Sequence, residues 1–369
     1  MMNKMIVANL AHRPVRSLIS IFAIAIEVTL MLVIVGLMFG MLNDNKERQA
    51  GIGADVMVRP PGSSVILSAS GSPLSIKVGD VLRKLHHVKA VAPVLLQSST
   101  SGTVETIYGI DLASWDAMGS PFRFLSGGPY QGPNDIIVDD YFANSAHKKV
   151  GDTMKVLNHD FRISGIVAHG KGGRKFLQMT TLQELTGSEG KASIFYVKLD
   201  DPNNFSAFKE EALKVPGMSN YDIESVKEWL SLINPDALPG FSITLNIVIG
   251  IAVCIGFIVI FQSMYTAVME RTREIGILKS LGASKAYIVQ VILRETALLG
   301  IAGIVLGVAI SFATGHALLA RFPTIRVDVG AEHWVWKSAA IAIVGAMIGA
   351  LYPAFKAAQK DPIDALAYE

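Results

Sequence analysis

Four stretches of the chain are apolar for long enough to cross a bilayer as a helix, which takes ~20 residues. The first covers residues 18–42 and is broken only by Glu27. The second covers 241–268, the third 288–318 with no charge over 296–313, and the fourth 338–355. Residues 43–240 between the first two have ordinary mixed composition. The pattern predicts an α-helical membrane protein with four transmembrane helices, arranged one plus three, and a large extracytoplasmic mixed α/β domain. The first run exceeds the ~7–15 residues of a signal-peptide core and lacks a small-residue cleavage site before Asn43-Asp44-Asn45, so it reads as an uncleaved anchor.

Within the domain, a strand at 55–59 is stopped by Pro60-Pro61-Gly62. Helical periodicity over 78–87 leads into a strand ending near Leu96, and a strand pair is expected around 103–110. Residues 127–133 read as loop, and 135–139, 150–157, 161–167 and 194–199 as strands. A second helix-then-strand unit occupies 205–215 and 221–225. The two such units predict a split βαβ subdomain into which 127–190 is inserted as a second lobe. Residues 43–50 are polar but contain no breaker, so they extend the first helix as a stalk; 224–233 lead towards the second before Pro235 and Pro239-Gly240 interrupt.

The chain has 369 residues, 51% hydrophobic and only 17% charged, against ~25% charged in soluble domains. A net charge of +2 gives no basic face for nucleic acid. The one cysteine, Cys254, excludes an intrachain disulfide and a thiolate metal cluster. Basic residues fix the expected orientation. Residues 1–17, the loop 269–287 and the tail 356–369 carry Lys4, Arg13, Arg16, Arg271, Arg273, Lys279, Lys285, Lys356 and Lys360, whereas residues 319–335 of the loop 319–337 carry Arg321 and Arg326. That asymmetry puts both termini and 269–287 in the cytoplasm.

Catalytic chemistry is not expected. Gly170-Lys171-Gly172-Gly173-Arg174-Lys175 lacks the order of a phosphate-cradling loop and reads as a mobile loop. His86-His87 has no metal-ligand partners in sequence, and Asp139-Asp140 reads as a turn or cap. Glu27 is an ionisable group inside a span, a costly placement that leaves a transport path, an interhelix contact and a structural role open. Gly36/Gly40, Gly303/Gly307 and Gly345/Gly349, with the weaker Ala252/Gly256, have the spacing that lets helices approach closely in lipid.

The loop at 269–284 is the informative segment. On a helix, Glu270 and Glu274 share a face, and Ile275, Leu278 and Leu281 form a short apolar stripe; Gly282 stops the helix and Ser284 caps the next. Such a helix suits docking into a groove of a cytoplasmic partner. The run Arg271-Thr-Arg-Glu-Ile-Gly-Ile-Leu-Lys-Ser-Leu-Gly-Ala283, together with Tyr352-Pro-Ala-Phe-Lys-Ala-Ala-Gln-Lys-Asp-Pro-Ile-Asp-Ala-Leu366, resembles the FtsX/MacB-type ABC transporter permeases. The resemblance implies a coupling helix at Glu270, Arg271, Arg273, Glu274, Ile275, Gly276, Leu278, Lys279, Leu281 and Gly282 that engages an ATPase. It implies a multi-pass subunit of a bacterial inner membrane, with a second permease copy or paralogue as dimer partner, lipid around it, and a periplasmic adaptor as a further candidate partner. ATP and Mg are expected in the cytoplasmic ABC ATPase subunit, a separate polypeptide because this chain starts almost at its first helix. No cofactor or metal is expected in the chain itself. The function implied is export or extraction of a hydrophobic, peptide or lipid cargo. The alternative is FtsX-like signalling to a cell-wall hydrolase without transport.

Overall fold

The computed structural model describes residues 14–62, 73–99, 105–233, 239–322 and 324–360. Lys4, Arg13, Pro235 and the end of the C-terminal motif from Asp361 lie outside the described residues. The chain divides into two compact units: a helical unit of Met1–Gly40, Pro239–Ala320 and Ile325–Glu369, and an α/β unit of Met41–Leu238 with Arg321–Thr324. Helix α1 (Pro14–Ala50) contributes to both. Its 37 residues make about 55 Å at ~1.5 Å per residue, well beyond the apolar run. The polar residues 43–50 are therefore helical, as the absence of a breaker before Gly51 implies.

The α/β unit follows in chain order as β1 (Val56–Arg59), β2 (Leu74–Ser75), α2 (Lys77–Leu82), β3 (Val88–Ser99), β4 (Glu105–Ile110), α3 (Leu112–Asp116), β5 (Phe124–Gly127) and β6 (Asp135–Asp139). After these come α4 (Asp140–Ser145), β7 (Thr153–Val156), β8 (His159–Val167), β9 (Lys175–Gln178), α5 (Met179–Thr186), β10 (Lys191–Ala192), β11 (Ile194–Leu199), α6 (Phe205–Lys214), β12 (Asp222–Ser225) and α7 (Val226–Leu232). One ten-stranded sheet runs in the order β12-β1-β11-β3-β4-β9-β6-β8-β5, with β7 hydrogen-bonded to β8. Pairing is antiparallel except for β4 with β9 and β6 with β8.

Two clusters of buried apolar residues, among those described, organise this unit. The first joins Val56, Val58, Val91, Phe195, Val197 and Phe208, and so unites the two helix-then-strand units α2–β3 and α6–β12. The second joins Ile136, Val138, Phe161, Ile163, Leu177 and Leu182 with Leu95 and Ile107. The segment 127–190 shares its sheet and its core with its flanks. Its β9 lies parallel to β4 in the same sheet, and its core borrows residues from β3 and β4.

The helical unit adds α8 (Pro239–Glu270), α9 (Thr272–Ser280), α10 (Lys285–Arg321) and α11 (Trp334–Gln359). With α1, three of these give, among the described residues, four helices long and apolar enough to span a membrane. A seam of Ala342, Ala346, Ala350 and Ala354 is buried on α11, which packs along α8. Small side chains there let two backbones approach. A Cβ on Gly349 would come within 3.2 Å of the Phe257 carbonyl oxygen, whereas one on Gly345 would find only Val253 at 3.9 Å, an ordinary contact. Gly345 is thus not a close-approach position.

Gly303 and Gly307 face α1: a Cβ on Gly307 would lie 2.7 Å from the Ala25 carbonyl oxygen, and the Thr29 hydroxyl donates to the Gly307 carbonyl at 3.1 Å. Gly36 and Gly40 differ from the expected helix–helix role. They face the loop after α10, where a Cβ on Gly40 would overlap the Arg326 carbonyl and the Asp328 amide donates to the Gly36 carbonyl at 2.9 Å. Glu27 is 5% exposed, and its carboxyl lies against α8 where only a glycine, Gly256, leaves room. Seven residues earlier, Ser20 meets Ser263 hydroxyl to hydroxyl at 2.5 Å, the same antiparallel register.

Candidate functional site

Helix α9 owes its shape to both of its ends. Arg271 departs from helical geometry (φ −104°, ψ 15°), so α8 stops there and α9 restarts at Thr272, whose hydroxyl donates to the Met269 carbonyl at 2.8 Å. At the far end Gly282 takes φ +94°, which an L side chain rarely adopts. The Ala283 amide then reaches back to the Leu278 carbonyl at 3.0 Å and the Gly282 amide to Lys279 at 3.0 Å, a Schellman closure. Ser284 caps α10 by accepting from the Tyr287 amide at 3.2 Å. Stop and cap fall where the sequence places them.

The exposed face is not the expected one. Ile275 and Leu278 are half-buried and pack on the cluster that holds Met264, Val268 and Ile288, and Thr272 and Gly276 are buried. Exposed instead are Glu270, Arg273, Glu274, Ile277, Ser280, Leu281 and Gly282, with Ile277 at 45% and Leu281 at 80%. The exposed apolar pair of α9 is therefore Ile277 with Leu281, spaced i, i+4 on one face. Arg271 also points inward. Its Nη1 donates to both carboxylate oxygens of Glu295 on α10, at 3.0 and 3.2 Å, with the side chains 11% and 6% exposed. Lys279 donates to the Ala358 carbonyl at 3.0 Å and to that of Lys360, placing a cation on the C-terminal end of α11, where the helix dipole favours it.

A second constellation fastens the end of α1 into the α/β unit. Gln49 is 4% exposed; its amide donates to the Tyr108 hydroxyl at 3.3 Å and accepts from the Tyr196 hydroxyl at 3.0 Å. The Gly172 amide donates to the Arg48 carbonyl at 2.7 Å. Arg174 reaches Asp44 at 3.1 Å, Asp139 at 2.9 Å and the Thr324 carbonyl at 3.0 Å. Its guanidinium also lies over the Tyr141 ring, which stacks on His169 at 3.9 Å. Asp139 is the N-cap of α4, accepting from the Phe142 amide at 2.7 Å. Burial pushes the Asp139 carboxyl up to about 6, outweighing the opposing pull of Arg174 and the Phe142 amide.

The glycine cluster at 170–175 is a strap in this structure, not the expected mobile loop. A Cβ on Gly173 would overlap the Tyr108 ring, and the Lys171 ammonium donates to the Ser120 and Pro121 carbonyls at 2.5 and 2.7 Å. Glycines are used here for close approach to an aromatic face and to the helix end.

Residues 17–215 match the MacB-like periplasmic core domain, more than half of the chain, and residues 246–362 match the FtsX-like permease C-terminal domain. The chain belongs to the MacB/FtsX family of ABC transporter permeases. Relatives of this permease include the macrolide export ATP-binding/permease protein MacB of Aggregatibacter actinomycetemcomitans, 26% identical over 98% of this chain and 60% of the relative. The ABC transporter permease YtrF of Bacillus subtilis is 29% identical over 60% of this chain and 55% of its own length. An uncharacterised ABC transporter permease of Methanocaldococcus jannaschii is 23% identical and matches 98% of this chain and 96% of its own. The permease spans about 60% of the length of the MacB relatives it matches. Among solved structures, the periplasmic region of MacB from Actinobacillus actinomycetemcomitans aligns with a TM-score of 0.40 at 19% identity, covering 50% of this chain and 94% of that one.

Proposed function

We propose that this permease is the membrane subunit of an ABC transporter and that α9 docks on a cytoplasmic ATPase subunit, which binds the ATP and Mg. The observation that carries the reading is the outward face of α9: Arg273, Glu274, Ile277 and Leu281 project from a helix whose opposite side is packed and whose ends are closed. An apolar pair flanked by charges, held on a rigid element, suits a protein groove better than water. A second permease copy or a paralogue completes the complex. Movement of α9 is passed to α1 within the helical unit and leaves through Gln49 and Arg174, which bind the end of α1 to the α/β sheet. A stiff helix held by buried hydrogen bonds transmits displacement where a flexible linker would absorb it. The cargo proposed with this reading, from the kinship to FtsX/MacB-type permeases, is hydrophobic, peptide or lipid, exported or extracted by the α/β domain outside the membrane.

The reading requires 269–287 and both termini to be cytoplasmic and the α/β unit to be extracytoplasmic, as the basic bias of the short segments favours. A reporter fused after Glu369 is expected to report a cytoplasmic position, and one inserted in the loop 127–133 an extracytoplasmic position. The opposite pattern at both sites would remove α9 from reach of any cytoplasmic ATPase and defeat the proposal.

A further inference from the structure

We infer that the buried Arg271–Glu295 pair is the latch that makes α9 move with α10, with Glu295 as a positioning residue that never touches the ATPase. The inference rests on the reading of α9 as the docking helix and adds to it the route by which a push on that helix enters the bundle.

Packing holds α9 on its neighbours only in part, through Ile275 and Leu278. An opening of about 310 Å³ lies among α8, α9 and α10, walled by Met264, Val268, Ile275, Leu278, Ile288 and Ile292. Apolar atoms facing such a space lose partners on one side, so the dispersion that normally fixes one helix on another is reduced here. Arg271 and Glu295 also border this opening and bridge the α8–α9 junction to α10 across it, with two hydrogen bonds at 3.0 and 3.2 Å.

Position matters as much as strength. Arg271 is the residue at which the backbone leaves the helical region between α8 and α9, so it is the pivot about which α9 would swing. Anchored to α10, the hinge itself cannot shift without α10, and the swing about it is stopped by a second tie at the far end of α9, through Lys279. The pair is nearly out of water, where solvent and salt screen it little. Buried ion pairs are poor stabilisers compared with apolar packing, and fixing one arrangement is their best-attested use. Lys279 makes the complementary tie at the other end of α9, to the α11 terminus. Force applied at Ile277 and Leu281 is then delivered to α10 through Glu295 and to α11 through Lys279, while the docking face itself is left intact.

The test uses the full permease with its ATPase in nanodiscs and reads two quantities: co-purification of the ATPase, and stimulation of ATP hydrolysis over the ATPase alone. Glu295→Gln, nearly isosteric, is expected to keep assembly and to lose about fivefold or more of the stimulation, the lower range of ordinary allosteric coupling. Arg271→Cys/Glu295→Cys in a Cys254→Ser background supplies the control against misfolding. Joined by a reducible bifunctional methanethiosulfonate linker it should recover stimulation, and lose it again when the linker is cleaved in the same sample. Full stimulation in Glu295→Gln, or a linker that restores nothing in a variant of wild-type assembly and melting, would overturn the latch. Loss of ATPase co-purification in Glu295→Gln would place the pair in the docking surface and also overturn it. Failure of the docking reading itself would show separately, as unimpaired assembly when Leu281 is changed.

Discussion

Leu281→Asp is expected to strip the ATPase subunit from the purified complex while leaving the melting temperature of the permease unchanged. Leu281 is 80% exposed, so in the free permease the carboxylate would stand in water and disturb no packing. In the docked state the same group would be buried in an apolar groove without a partner, at a cost of several kcal/mol before relaxation or protonation. Interfaces of this kind depend on a few anchors, each worth ~2 kcal/mol or more, which corresponds to roughly 30-fold in affinity. Ile275→Asp would not give the same information, because Ile275 packs on the permease's own core and its loss would lower stability as well as docking. Co-purification, permease-stimulated ATP hydrolysis and a thermal melt measured together separate the two effects. A Leu281→Asp complex with full assembly and full stimulation would show that α9 is only a connector.

Gly51→Ala should be strongly damaging to the α/β unit. Gly51 follows the last residue of α1, and a Cβ there would overlap the Gly170 carbonyl oxygen, with the Gly170 carbonyl carbon at 2.9 Å and the Glu47 oxygen at 3.1 Å. All three obstructing atoms are backbone, so no rotamer change relieves the clash. Overpacking typically costs 1–3 kcal/mol, and a shift of main chain puts this case at about 3 kcal/mol. For a unit of this size that is a fall of roughly 6–12 °C in Tm. The strap would also be driven off Arg48 and Tyr108, loosening the hold on α1. Gly132→Ala is the control, since nothing lies within 4 Å of a Cβ at that position. Melting of the two full-length variants side by side tests the argument, which fails if Gly51→Ala melts with the wild type.

The long helices were legible because hydrophobic length is a one-dimensional property. The stop at Gly282, the cap at Ser284 and the cap at Asp139 were legible because each acts within a few residues of itself. Facing was harder. The spacing of Ile275, Leu278 and Leu281 announces an amphipathic helix but not which neighbour covers which side, and α8 and α10 cover Ile275 and Leu278. The same limit applies to glycine pairs: Gly36 and Gly40 have helix-packing spacing, yet the backbone they admit belongs to the loop at 326–328. Glu295 carried a readable signal, an isolated carboxylate at the start of an apolar span with Arg271 across a short loop. Gln49 and the strap at 170–174 carried none, because their partners Tyr108 and Tyr196 are distant in sequence and converge only when the sheet forms.

The central claim, that the outward face of α9 is the surface seated on the ATPase, is tested most directly by placing a photo-crosslinking side chain at single positions along 275–281 in the assembled complex. The account predicts a permease–ATPase adduct on illumination from positions 277 and 281 and none from 275 and 278, which face the permease's own core. Adducts from 275 and 278 with none from 277 and 281, or no adduct from any of the four in a complex that still hydrolyses ATP, would contradict it.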